Sequence, residues 1–185
     1  MLTQEQGRQL LGLARRSIES YFTGEEIDLA EYEGFSEKQG VFVTLHEDGE
    51  LRGCIGFPHP SFKLYKAVFD AARAAAFEDP RFLPLEKDEL KKIDIEISVL
   101  TVPEEIKVTN PKEYLNNIEI GKDGLIIRSD HSSGLLLPQV FAEYKCTAEK
   151  ALEMTCQKAG LPKDAWKDLS NRISKFQAQI FKEKS

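Results

Sequence analysis

The chain has 185 residues, 41% hydrophobic and 30% charged, which fits one domain, or one domain with a small inserted lobe, with a core and a solvated surface. The 31 acidic residues against 25 basic ones leave a net charge of −6, which argues against a dedicated nucleic-acid binder with a basic face. No apolar run approaches the ~18 residues that span a bilayer, and the three cysteines (Cys54, Cys146, Cys156) are too few and of the wrong parity for a disulfide framework.

The opening Met1-Leu2-Thr3-Gln4-Glu5 lacks a basic start followed by an apolar stretch, so the expectation is a cytoplasmic protein with reduced thiols. Thr3 with Gln6 fits a capping box, and Leu10, Ala14, Ile18 and Phe22 recur at helical spacing, which predicts an amphipathic helix over residues 4–22. Residues 23–40 are acidic and irregular and read as a solvated connector. The apolar run Val41–Leu45, the turn signal Glu47-Asp48-Gly49 and a second run predict a hairpin over residues 41–56. Phe57-Pro58-His59-Pro60 breaks it. Phe62 to Phe77 reads as an alanine-rich helix able to pack closely on a sheet, and Pro80 stops it. Ile93, Ile95, Ile97 and Val99 alternate with Asp94, Glu96 and Ser98, which predicts a strand polar on one face. Pro103 to Ile106 marks a change of region, and residues 111–117 read as a short helix. Leu125–Ile127 and Leu135–Leu137 form a second hairpin around the polar loop Ser129–Gly134. Thr147 caps a helix over residues 148–159, which Gly160 and Pro162 end. The alternation around Phe176, Ala178 and Ile180 predicts a last strand over residues 174–182. The class is α+β, with antiparallel sheets flanked by helices.

The hexapeptide Leu51-Arg52-Gly53-Cys54-Ile55-Gly56 concentrates the chemistry. Strand alternation sets Leu51, Gly53 and Ile55 on one face, and Arg52 and Cys54 on the other. A cation beside a thiol favours the thiolate, and Gly53 and Gly56 leave backbone bare for a ligand. The alternatives are structural: Cys54 as a small buried hydrophobe and Arg52 as an ion-pair partner. His59 could serve Cys54 as a base or sit on a surface loop. Asp79 and Arg81 could border a cleft beside the hexapeptide, or could cap the preceding helix and pair with each other. Ser129, Asp130 and His131 match a hydrolase triad in composition only, since adjacent residues do not form the relay. Gly121-Lys122-Asp123-Gly124 is too short for a phosphate loop, and no metal-ligand spacing occurs. Cys156 sits at helical spacing with Leu152 and Ala159, and Trp166 reads as a packing anchor.

The hexapeptide resembles the signature of the AMMECR domain family. Asp79-Pro80-Arg81-Phe82, Ile95–Thr101, Gly134–Val140 and Lys158-Ala159-Gly160-Leu161-Pro162 resemble family motifs in family order, and together they cover nearly the whole chain. Glu143-Tyr144-Lys145-Cys146 departs from the Gly-Trp that relatives often carry there, which speaks against a family role for Cys146. The resemblance implies a larger lobe from both chain ends (residues 1–105 plus 169–185) and a smaller inserted α+β lobe (residues 106–168). It also implies a partner, a Memo-like or radical-SAM protein, and it names no activity. Two readings follow. The first is a ligand- or partner-binding or regulatory module centred on the hexapeptide, with Gly53, Gly56 and Arg81 contributing. The second is an enzyme using Cys54 as thiolate nucleophile or redox thiol on a small anionic or peptide-like substrate, with Arg52 holding the anion and His59 assisting. No cofactor, metal site or membrane attachment is expected.

Overall fold

The computed structural model describes residues 1–183. Local signals start and stop its elements. The Thr3 hydroxyl accepts the Gln6 N–H at 3.2 Å, while the Gln6 side chain accepts the Thr3 N–H at 2.8 Å. This reciprocal cap opens helix α1 (Gln4–Thr23), and Gly24, at φ 73°, closes it. Strands β1 (Gly40–Glu47) and β2 (Glu50–Phe57) form the hairpin. Its turn residues Asp48 (φ 52°) and Gly49 (φ 86°) are both left-handed, the turn whose twist matches that of the strands it joins. Helix α2 (Leu64–Phe77) starts two residues after Phe62, because Lys63 keeps an extended backbone bridged to Lys38.

Strand β3 (Ile93–Leu100) is followed by the short β4 (Glu104–Glu105) and by helix α3 (Tyr114–Asn117), which continues a 3-10 turn over Pro111–Glu113. Then come β5 (Asp123–Arg128), β6 (Ser133–Leu136), α4 (Pro138–Glu143), α5 (Ala148–Lys158) and β7 (Arg172–Lys182). Helix α4 was invisible to periodicity because it is under two turns long; Pro138 at its first turn supplies the start. Residues 29–35, read as irregular, wind into a 3-10 turn because Asp28 accepts the Ala30 N–H at 2.9 Å and Phe35 is buried.

The chain divides into two compact units. One comprises Met1–Leu100 and residues 179–183; the other is Thr101–Ala178. These bounds correct the expected 106–168. Glu104 and Glu105 pair with Lys175 and Ser174, and the Thr101 N–H donates to the Gln177 carbonyl at 2.9 Å. Residues 101–105 and 169–178 therefore belong to the middle unit.

In the first unit the strand order is β2-β1-β3, with the end of β7 beyond β3. Val41, Val43 and Leu45 of β1 and Ile93, Ile95 and Ile97 of β3 bury one sheet face against Leu10, Leu13 and Ile18 of α1 and Val68 of α2. The alanines of α2 let its backbone lie directly on β2: a Cβ placed on Gly53 would come 2.2 Å from the Ala75 carbonyl oxygen. In the second unit β5 lies between β6 and β7. Leu125, Ile127 and Ile173 pack with Phe141, Leu152, Cys156 and Trp166, so Cys156 and Trp166 are core residues.

The Gly53 contact yields a prediction. Gly53→Ala drives a methyl group into a helix backbone that cannot move alone, and it should cost roughly 1–3 kcal/mol, the range for overpacking. Urea unfolding should show a lower midpoint at an unchanged slope.

Candidate functional site

Strand β2 is an outer strand, so one side of its backbone has no neighbouring strand in its unit. At Cys54 that side is taken by the segment leaving α2. The Asp79 carboxylate accepts the Cys54 N–H at 2.9 Å, and Arg81 Nη2 donates to the Cys54 carbonyl at 3.3 Å. Asp79 also accepts from the backbone N–H, Nε and Nη2 of Arg81 at 3.1, 3.0 and 2.7 Å. Asp79 is 5% exposed. The Arg81 guanidinium, and after it the Cys54 N–H, hold its carboxyl well below the usual carboxylate range, against burial, which pushes it up. The two alternatives for this segment meet in one device: an internal ion pair that also clamps the backbone of the hexapeptide.

The sequence-derived site is then redistributed. Leu45 lies across from Gly53 but His46 across from Leu51, so the strand carries a bulge at Arg52. The bulge breaks the two-residue alternation. Leu51 joins the face of His46, Thr44 and Cys54, not that of Gly53. Arg52 gives Nε and Nη2 to the Glu89 carboxylate at 2.7 and 3.1 Å, with side chains 13% and 17% exposed. Glu89 is therefore the anion that Arg52 holds, and Arg52 holds the Glu89 carboxyl below its ordinary range. The remaining nitrogen, Nη1, is buried without a hydrogen-bond partner among the described residues.

The bare backbone at the two glycines is also filled from within. Ala75 occupies the space at Gly53, and the Phe42 ring lies 2.5 Å from where a Gly56 Cβ would sit. Both glycines are thus required by packing, which corrects the reading of open ligand-binding backbone. His59 is exposed in its loop, and among the described residues no hydrogen bond joins it to Cys54. Arg81 does reach the hexapeptide, through its backbone.

What remains is the face of the sheet opposite the helices. There the register sets Cys54 beside Thr44 and Thr44 beside Glu96. The Thr44 hydroxyl lies 3.2 Å from Cys54 Sγ, and Lys182 Nζ lies 2.8 Å from Glu96 Oε2. A thiol, a hydroxyl, a carboxylate and an ammonium thus lie in one row across four strands. Cys54, Thr44 and His46 are half-buried, and Leu51 is exposed. Thr44, Glu96 and Lys182 were absent from the sequence-derived site. Glu96 was visible as part of the polar face of β3, but no one-dimensional signal joins it to Cys54 or Lys182.

The other candidates stay apart. The Ser129 hydroxyl pairs with Ser132 inside its turn, with no relay to His131. Cys146 Sγ lies 3.5 Å from the Met154 sulfur. Among the described residues no group of three or more His, Cys, Asp or Glu side chains is arranged to hold a metal ion, and no helix is long and apolar enough to cross a membrane.

The AMMECR1 family profile matches residues 11–181. The chain belongs to the AMMECR1 family. Its relatives include Protein MJ0810 of Methanocaldococcus jannaschii, 50% identical over 99% of this chain and 92% of that one. A protein of Aquifex aeolicus is 47% identical over 96% of this chain and 92% of its own length. The crystal structure of the uncharacterized protein PH0010 from Pyrococcus horikoshii superposes with a TM-score of 0.90 at 44% identity, covering 99% of this chain and 94% of that one. The biochemical activity of the AMMECR1 family is unknown, and these relatives are uncharacterised proteins.

The Asp79 clamp should be visible in the pH dependence of stability. A carboxyl whose folded pKa is depressed stabilises the fold fully above the unfolded value, near ~4, and loses that contribution as pH falls toward the folded value. Asp79→Asn should cost roughly 1–3 kcal/mol at neutral pH, the penalty for disrupting a buried hydrogen-bonded group. The difference from wild type should be constant above about pH 5 and shrink below about pH 4 in denaturant titrations.

Proposed function

We propose that this AMMECR1 protein is a binding module, for a small ligand or a partner protein, whose recognition face is the polar row Cys54-Thr44-Glu96-Lys182. The observation that supports this reading is the division of labour within the hexapeptide. Arg52 is bound to Glu89, Gly53 and Gly56 are filled from within, and the Cys54 backbone is clamped. The Cys54 side chain is the chemically available group, and it stands among three polar side chains on a rigid sheet, where little ordering entropy is lost on binding. The partner class implied by the resemblance, a Memo-like or radical-SAM protein, fits a protein that binds and does not itself turn over. One observation favours the enzyme reading: the thiol is half-buried yet reachable, with a hydroxyl 3.2 Å away. Against it, among the described residues the hydrogen bond to that thiol comes from the Thr44 hydroxyl, not from a histidine or carboxylate that could draw off its proton.

A thermal-shift screen of small carboxylates, phosphates and amines tests the proposal, because a compound that binds the folded state raises its melting temperature. The expected hit stabilises wild type and the loop control His131→Ala, but not Glu96→Gln. A hit that stabilises Glu96→Gln equally removes the row as the recognition face. Intact-mass analysis separates the two readings: a covalent adduct formed by wild type and absent in Cys54→Ser supports the enzyme.

A further inference from the structure

A groove of about 800 Å³ runs beside α1 in the first unit, with Arg8, Gly12, Arg15 and Glu19 of the helix on its wall. Gly12 is the odd residue. A glycine in mid-helix weakens the helix, and here packing does not ask for one: a Cβ at Gly12 would meet nothing within 4 Å, whereas one at Gly7 would strike the Phe181 ring. A glycine open to the outside admits close approach by another backbone or bulky side chain.

The charges on the same stripe say what approaches. Arg8, Gly12, Arg15 and Glu19 are spaced four, three and four residues apart, the spacing of a helix–helix seam. Arg15 is pinned, donating to the Leu90 and Ile93 carbonyls at 2.6 and 2.8 Å and to the Glu183 carboxylate. It cannot swing aside, so whatever lies opposite must be small. Among the described residues Arg8 pairs with Glu5 alone, and both are well exposed, so the pair is weak and exchangeable. The Glu19 carboxylate makes no hydrogen bond among the described residues.

We propose that α1 is the seam of a two-fold homodimer in which the helices of two copies run antiparallel, each entering the other's groove. In the register that sets Arg8 against Glu19 of the second copy, Gly12 faces Arg15 of the second copy, and symmetry repeats both contacts. The stripe is thus complementary to itself: two opposite-charge pairs at the ends and two glycines that make room for two fixed arginines in the middle. A parallel pairing would oppose Arg8 to Arg8 and Glu19 to Glu19. The seam is polar, which makes the dimer a weak, salt-sensitive one.

Sedimentation of the full chain over a range of concentrations tests this. Wild type should form a dimer at low salt, with association about tenfold weaker near 0.5 M salt, where screening is strong. Arg8→Glu and Glu19→Arg should each yield monomers, and the double exchange should restore the dimer. Gly12→Leu should be monomeric with a melting temperature no lower than that of wild type, which separates a blocked seam from a damaged fold. A wild type that stays monomeric at low salt overturns the proposal and leaves the groove to a different occupant. A double exchange no better than either single, or a Gly12→Leu chain that dimerises normally, also overturns it.

Discussion

The contact between the α2 backbone and β2 at Gly53 sets the geometry of the first unit. With the Ala75 carbonyl against the Gly53 Cα, the helix lies closer to the strand than any side chain would permit. That closeness carries the end of α2 past the edge of β2, where Asp79 and Arg81 reach the Cys54 backbone. It also fixes which face of the sheet belongs to the helices. Cys54, paired across from Thr44, is turned to the other face. The alanines of α2 and the glycine of the hexapeptide are two halves of one constraint, although they lie some twenty residues apart in the chain.

The fold was legible in the sequence wherever one element carried a complete signal. The Thr3–Gln6 cap, the Asp48-Gly49 turn, the alternation from Ile93 to Val99 and the Thr147-to-Gly160 helix each needed only neighbours in sequence to be read. The middle unit's bounds were not legible, because Glu104 and Lys175 pair across seventy residues and a two-residue strand has no period of its own. The bulge at Arg52 was hidden for a related reason. Alternation assumes an unbroken ladder, and nothing in Leu51-Arg52-Gly53 announces the extra residue that moves Leu51 to the other face.

The candidate site shows the same division. Cys54 was singled out by residue type and local composition, and it remains the centre of the reading. Its companions were chosen by adjacency in the chain, whereas in a sheet the neighbours are those across the ladder. Arg52 is next but one to Cys54 in sequence yet is paired with Glu89; Thr44 is ten residues away and 3.2 Å from the thiol. The glycines were read as openings because a sequence shows the missing Cβ but not what occupies its place. Here an aromatic ring and a helix carbonyl occupy it.

The Asp79–Arg81 clamp has a consequence for how the protein behaves in a crowded solution. An outer strand with free N–H and C=O groups is a template on which another chain can build, and runaway association of that kind begins at such edges. At Cys54 both outward backbone groups are already bonded to a charged, internally paired side-chain bracket. A foreign strand laid along β2 would have to displace the buried Asp79 carboxylate from the Cys54 N–H, and Arg81 from the Cys54 carbonyl, to form a single pair of ladder bonds. The motif therefore caps the sheet as well as framing the thiol. It limits sheet growth at an outer strand whose glycines and apolar residues would otherwise accept a further strand.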